Sequence, residues 1–108
     1  MSDDITLAKC LKVLGHPDRL RLLRLLQRPE LFPDNLVDSL TIGICVNDLA
    51  KAADLAQSTA SHHLGLMQDL GLLVVTQHGP WRYIRPDHTL LAQIGAQVAS
   101  LGTGSAGE

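Results

Sequence analysis

Residues 49–74, LAKAADLAQSTASHHLGLMQDLGLLV, constrain the fold more than any other stretch of this sequence. They contain two helical patterns separated by a few residues, so the two helices must pack against each other across a tight turn. We predict the first helix over residues 46–53 and the second from about Gln57 to Leu70, where Gly71 suits the left-handed residue that ends a helix. The extended run LLVVTQ, the turn HGP and the extended run WRYIR follow, which predicts a β-hairpin.

Three more helices are predicted around this core motif. The stretch ITLAKCLKVL at residues 5–14 has helical periodicity. Residues 17–27 start with Pro17, which suits a first helical position, and are apolar around most of the helix, as expected of a buried helix. Residues 87–101 carry a further apolar stripe. The prediction is a mainly α fold with a small β-hairpin wing: a winged helix-turn-helix with four helices, the hairpin and a fifth helix.

Length and composition bound the class of protein. The 108 residues are enough for one domain, which we place at 1–101, with 102–108 as a disordered tail. Hydrophobic residues make up 45%, as in a globular chain. The sequence has no apolar run of about 20 residues and no secretion-signal pattern, so we expect no membrane contact and a cytoplasmic location. A structural disulfide is not expected in that reducing compartment.

The charge distribution is more informative than the total. The net charge of -2 and the pI of about 6.2 argue weakly against nucleic acid, because phosphate binding depends on Lys and Arg. Four arginines, however, lie within residues 19–28, and Arg82 and Arg85 lie in the predicted hairpin. Arg21, Arg24 and Arg28 share a helix face, which is either a phosphate-facing edge or a solvated face paired with acids.

The second helix of the motif is polar at its start, on the side expected to face outward. In a helix-turn-helix the second helix enters the major groove, and its N-terminal residues contact base edges. Gln pairs with adenine, and Ser or Thr with several base edges or with phosphate. Cations near the wing tip, Arg82 and His78, can meet phosphate or a narrow minor groove. The predicted DNA-binding residues are Gln57, Ser58, Thr59, Ser61, His62, His63 and Arg82.

Four stretches of the sequence form a recognisable combination: LGHPDRLRLLRLL at 14–26, CVNDLA at 45–50, QSTASHHLGLMQDLGLL at 57–73 and HGPWRYI at 78–84. With these stretches the chain resembles the ArsR/SmtB family of bacterial winged-helix repressors, over nearly all of residues 5–100. The resemblance implies a homodimer built on the first and last helices, here residues 5–14 and 87–101. It also implies a regulator that binds an inverted repeat in double-stranded operator DNA and is released by an inducer.

The chain departs from the family pattern at three places. Asp54 stands where the turn often has Gly, and Asp tolerates the left-handed conformation better than most residues. Ala56 stands where a capping Ser is usual, so we expect Ser58 or water to take part of that role. The connection over residues 28–44 is longer than is typical, and we predict a loop there with a helical turn at 35–40 and a short strand at 41–45.

The metal sites of the family are only partly represented. One type uses a Cys-x-Cys pattern at the start of the third helix, where this chain has Cys45 and Asn47, and an amide is a poor ligand for soft metals. Another type pairs Asp and His at the last helix with a distant His and acid. Asp87 and His88 are present, but the partner stretch QVASLG contains neither type, so this site is predicted to be absent.

The two cysteines, Cys10 and Cys45, are the candidate sensing thiols. Some relatives bind trivalent arsenic with thiols from these two helices, but two thiols are one short of the usual three. We expect Cys45 near a helix N-terminus, where thiolate is favoured. That leaves open a soft metal or arsenite at Cys10 and Cys45, oxidation of the pair, or simple core packing, which is common for free Cys. No cofactor is required on any of these hypotheses.

Enzymatic activity finds no support in the sequence. No nucleophile-base-acid order, Gly-rich phosphate loop or apolar pair of carboxylates is present. Two alternatives to a metal-responsive repressor remain: a winged-helix module for protein contacts, which the acidic pI favours, and an ArsR-type regulator that senses no metal.

Overall fold

A computed structural model describes residues 4–103, and its element order confirms the predicted winged helix-turn-helix. The predicted tail from 104 onward lies outside the described residues, whereas Gly102, also assigned to that tail, belongs to the last helix. The helices are α1 (Asp4–Leu14), α2 (Pro17–Leu26), α3 (Val46–Ala52), α4 (Gln57–Asp69) and α5 (His88–Gly102), and the strands are β1 (Ile44–Cys45), β2 (Leu73–His78) and β3 (Trp81–Pro86).

Local caps define the starts of two helices but not of α4. At the start of α2, the N–H of Asp18 donates to Nδ1 of His16 at 3.1 Å. At the start of α5, the N–H of Leu90 donates to the Asp87 carboxylate at 3.0 Å. The N-cap of α4 is Ala56, and no side chain in residues 4–103 accepts from the first N–H groups of that helix. Ser58 therefore does not supply the cap that we expected, and those groups are left to solvent.

The turn between α3 and α4 has the conformation that its sequence predicts. Asp54 has a φ of 56°, in the left-handed region where Asp costs less than a β-branched residue. The N–H of Leu55 donates to the carbonyl of Ala50 at 2.9 Å and closes the turn. The tight turn sets the angle at which α4 leaves α3.

The sheet has one strand more than the predicted hairpin. Its strand order is β1-β3-β2, with all neighbours antiparallel, and Cys45 of β1 lies opposite Tyr83 of β3. Gly43, just before β1, has a φ of 126°, and a Cβ there would lie 2.3 Å from the carbonyl oxygen of Ile84. Only glycine permits this close approach of the two backbones. The strand predicted at 41–45 is thus confined to its last two residues.

The loop over residues 28–44 is anchored to the body of the protein. A 3-10 turn lies at Pro29–Leu31, and the turn predicted at 35–40 is shifted to 38–42, where the N–H of Ile42 donates to the carbonyl of Asp38 at 2.9 Å. The Asn35 amide donates to the carbonyls of Val37 and Gly43 at 2.9 and 2.8 Å, and its oxygen accepts from the Cys45 N–H at 3.0 Å. One side chain therefore holds the loop against β1.

The core lies between the helices and the sheet. Leu22 of α2, Leu49 of α3, Met67 of α4 and Ile84 of β3 are fully buried in it, and α5 contributes Ile94. Leu20 of α2 is 43% exposed, so this helix is less buried than its sequence predicts. The molecule is elongated, with extents of 52 × 24 × 24 Å. Within residues 4–103, no helix is long and apolar enough to cross a membrane.

Candidate nucleic-acid interface

The first two turns of α4 present polar side chains to solvent. Ala60, Leu64 and Met67 fix the orientation of the helix because they are buried in the core. The polar residues predicted for DNA binding lie mostly on the other side. Gln57, Ser58, Thr59 and His62 are exposed, and Ser61 is half-buried.

The wing contacts this helix directly. Nη2 of Arg82 in β3 donates to Oγ of Ser61 at 3.3 Å. Gln57, Asn47 and Arg82 also line a cleft of about 260 Å³ between the wing and the starts of α3 and α4. The structure thus brings three of the predicted residues, Gln57, Ser61 and Arg82, to one surface.

His63 does not share that surface, so its predicted outward placement is wrong. Its side chain is 7% exposed and faces the α1–α2 junction. Neighbouring residues of a helix differ in direction by about 100°, so His62 and His63 cannot both face outward. Nε of Arg19 donates to Nδ1 of His63 at 3.1 Å, which gives this buried imidazole a partner.

A small polar cluster surrounds His63. The carboxylate of Asp18 lies 3.8 Å from Nε2 of His63, and the ring of His16 lies 4.7 Å away between centroids. Burial lowers the pKa of His63, and the nearby His16 and Arg19 lower it further, while Asp18 opposes them. No sequence motif marks the whole cluster, because Arg19 and His63 are 44 residues apart in the chain; the helix-capping pattern HPD marks one half of it.

The cluster also has the composition of a metal site, but its hydrogen bonds oppose metal binding. His16, Asp18 and His63 each offer a ligand atom, and these atoms lie within 4.8 Å of one another. Nδ1 of His63 accepts from Arg19, and Nδ1 of His16 accepts from the Asp18 N–H. In neutral histidines the remaining nitrogen, Nε2, then carries the proton and has no lone pair for a metal. The arrangement is that of a hydrogen-bond network.

The two candidate sensing thiols have different surroundings. Both are free cysteines. Cys10 is buried in the hydrophobic core, where it packs as an apolar residue. Cys45 is the N-cap of α3, as predicted, and it lines a cavity of about 290 Å³ together with Leu36, Trp81 and Tyr83. Cys45 is itself buried, at 9% exposed, so this cavity is the space next to it rather than open solvent.

The aromatic residues of the wing and the start of α5 have distinct surroundings. Tyr83 is 1% exposed and packs under the wing, whereas Trp81 is 42% exposed. Asp87 uses its carboxylate as the cap of α5, and His88 is exposed. The carboxylate that a metal site at α5 would require is thus already engaged.

Of the arginines predicted to share one face, the one just after α2 is paired with an acid, as one of the two interpretations expects. Arg28 forms an ion pair with Glu30, which lowers the pKa of that carboxyl group. Arg21 and Arg24 are exposed and, with Arg28, line a shallow cavity of about 370 Å³. Arg19 differs from these three because it is half-buried and bonded to His63.

Comparisons with known proteins agree with this geometry. Residues 44–74 match the family model described as "Bacterial regulatory protein, arsR family". An uncharacterized HTH-type transcriptional regulator, YbzH of Bacillus subtilis (strain 168), is 29% identical over 85 residues, which cover 77% of this chain and 85% of the relative.

Two solved structures extend the likeness over most of the chain. A possible transcriptional regulator for arsenical resistance is 30% identical, with a TM-score of 0.67 and coverage of 86% of this chain and 83% of that one. The homodimeric winged helix-turn-helix DNA-binding domain of a possible ArsR-family regulator from Mycobacterium bovis is 23% identical, with a TM-score of 0.65 and coverage of 97% and 90%, and shows the same fold. The family and fold are those of transcriptional regulators: the chain belongs to the arsR family and has its DNA-binding winged helix-turn-helix fold.

Proposed function

We propose that this protein is a homodimeric repressor that binds operator DNA through α4 and the wing. The observation that carries the proposal is the Arg82–Ser61 contact, which joins the cation of the wing to the exposed polar face of α4. We assign base contacts to the start of α4 and a phosphate contact to Arg82. The residues assigned to DNA are Gln57, Ser58, Thr59, Ser61, His62 and Arg82.

The surface chemistry favours DNA over a protein partner. The exposed start of α4 carries hydroxyl, amide and imidazole groups, which suit base edges and phosphates. A protein-contact surface would be expected to have an apolar centre instead. Arg82 supplies positive charge on this surface although the whole chain has a net charge of -2.

The apolar surface of the outer helices supports a homodimer. Four large apolar residues of α1 and α5 are exposed, among them Ile5 at 72% and Leu101 at 75%. A second copy covering them would remove this surface from water, at about 25 cal/mol per Å². The M. bovis domain with the same fold is homodimeric, which supports the same assembly here.

Cys45 is the proposed sensing residue. It lines the cavity beside Trp81 and is the N-cap of α3, the first helix of the helix-turn-helix, so its modification would disturb the start of α3 directly. The agents proposed are arsenite, another soft metal species or a thiol oxidant, and a relative described for arsenical resistance supports the first. Cys10 is the proposed partner thiol, although its burial in the core favours a packing role.

DNA binding is tested with a duplex carrying the region upstream of the protein's own gene. Affinity measured by fluorescence anisotropy should fall as salt rises, because each phosphate contact releases counterions. Replacing Ser61 and His62 together with Ala should weaken binding, whereas His88→Ala, an exposed histidine on α5, serves as the matched control. Binding without a salt slope, or unchanged affinity in the double variant, would refute the assignment.

Sensing is tested by release of the same duplex. Arsenite and, separately, hydrogen peroxide are added to the wild type, Cys45→Ser and Cys10→Ser. The proposal expects release from the wild type and none from Cys45→Ser. Equal release from Cys45→Ser and the wild type would show that the inducer acts elsewhere.

A further inference from the structure

We propose that the Arg19–His63 contact positions α4 for DNA binding, and that protonation of His63 weakens operator affinity by breaking this contact. Neither residue is assigned to DNA. His63 lies on the buried face of α4, and Arg19 of α2 contacts it there. They are positioning residues. The inference rests on the proposed DNA-binding function and adds a proton-dependent step to it.

Arg19 links three elements through one guanidinium group. It belongs to α2, its Nε donates to His63 of α4 at 3.1 Å, and its Nη1 donates to the carbonyl of Val13 in α1 at 3.0 Å. Val13 lies in the last turn of α1, where carbonyl groups lack helical partners. The guanidinium group thus ties α4 to the end of α1 at a half-buried position.

The contact requires neutral His63. Arginine remains charged and donates only, so Nδ1 of His63 must hold a lone pair to accept from Nε. A proton at Nδ1 would remove the acceptor and place two cations in contact. The neutral form of His63 with its proton on Nε2 is therefore the form that holds α4 in place.

The charged groups around His63 come from two sides. The α1–α2 junction and the start of α2 contribute His16, Asp18 and Arg19, and α4 itself contributes His62. Only Asp18 favours the protonated form; burial and the three other groups disfavour it. The elements α3 and β2 also pack against α4 and, within the described residues, bring no charged group into this set.

The direction of the effect separates this step from ordinary phosphate attraction. Protonation of an exposed histidine such as His62 adds positive charge at the DNA surface and should raise affinity as pH falls. Protonation of His63 should lower affinity, because a smaller fraction of the protein keeps α4 in its binding position. The two adjacent histidines should act in opposite directions.

The test measures anisotropy of the upstream duplex from about pH 7.5 to about pH 5.5, at constant ionic strength and with EDTA. Wild-type affinity should fall about fivefold, a loss within the range expected for one hydrogen bond. His62→Gln, the matched control, should fall at least as steeply. Affinity of His63→Gln should not fall, because the Gln carbonyl accepts from Arg19 at every pH; it should stay level or rise as His62 gains its proton. A fall in His63→Gln equal to that of the wild type would overturn the proposal.

NMR of the imidazole nitrogens in the free wild-type protein provides a second readout that depends on no variant. Nδ1 of His63 should be unprotonated at pH 7.5, and its protonation should coincide with the loss of DNA affinity. A proton on Nδ1 at that pH, or a His63 titration without an affinity change, would refute the proposal. If Zn²⁺ alters the DNA affinity of the wild type but not that of His63→Gln, then His63 binds metal and the positioning proposal is wrong.

The outcomes distinguish this inference from the function on which it rests. Absence of binding at pH 7.5 would overturn both. Binding at pH 7.5 with identical pH profiles for the wild type and His63→Gln would overturn only the positioning step and leave the repressor intact.

Discussion

Replacing Asn35 with Ala should lower the free energy of unfolding by more than is usual for a residue in a surface loop. The side chain makes three hydrogen bonds, two of which satisfy backbone groups of Gly43 and Cys45 in buried residues. A buried group left without a partner costs about 1–3 kcal/mol, while the Val37 carbonyl can turn to water at a cost of about 0.5 kcal/mol. With two such buried groups, we expect a loss of about 2.5–6.5 kcal/mol, a large part of the roughly 5–15 kcal/mol that stabilises a domain.

Urea unfolding followed by circular dichroism measures this loss directly. The midpoint of Asn35→Ala should fall at an unchanged m-value, because the core is untouched. Asn47→Ala is the matched control: Asn47 is the other asparagine of the chain and lies on α3, so its variant should stay within about 0.5 kcal/mol of the wild type. Hydrogen exchange at the Cys45 amide should accelerate in the Asn35 variant. A loss below about 0.5 kcal/mol would show that the loop is not held by this side chain.

The remaining predictions concern charge, backbone, pH and assembly. Arg82→Ala should reduce the salt slope of DNA binding by about one, measured by anisotropy at several salt concentrations. Asp54→Val should cost about 1–2 kcal/mol in urea unfolding because Val is strained at a φ of 56°, while Asp54→Gly should not. Stability should fall as pH drops below 6.5, since the lowered pKa of His63 means that the unfolded state binds more protons there; His63→Gln should reduce this fall. Leu101→Glu should weaken the dimer in sedimentation equilibrium, because it buries a charge.

Each of these has a result that would contradict it. The charge prediction fails if the salt slope of Arg82→Ala equals that of the wild type. Equal midpoints for the Val and Gly variants of Asp54 would contradict the backbone argument, and a parallel loss of stability with pH in His63→Gln would contradict the linkage argument. A Leu101→Glu protein as dimeric as the wild type would move the interface away from the end of α5.

The elements that were predictable from sequence are those set by local chemistry. Helix periodicity and Pro17 located α2, and the Asp54 turn had the conformation that its residue type permits. Gly43 lay within the predicted loop, but the strand it makes possible depends on Ile84, forty-one positions further along the chain by residue number. Local patterns carry no information about such a partner, so the third strand was predicted without its pairing.

The candidate DNA-binding site was likewise predictable only where local sequence patterns determine it. The polar start of α4 follows from the apolar stripe on its other side, and the exposed residues there agree with that pattern. His63 was misplaced because polarity alone predicts exposure, whereas a buried polar group needs only a partner. That partner, Arg19, lies on another helix, and it was counted with three arginines that are exposed. The contact between Arg19 and His63 depends on the packing of two helices, which no local sequence pattern predicts.

The close approach of Gly43 to β3 has a consequence for sequence variation. Every residue other than glycine brings a Cβ, and here that atom would meet the Ile84 backbone, which cannot rotate away as a side chain can. A library of random single substitutions, selected for repression, should therefore return glycine alone at position 43. Positions 65 and 95, where an added Cβ meets nothing within 4 Å, should accept small residues freely. Position 43 would then be among the least variable positions of the chain, although it lies in a loop.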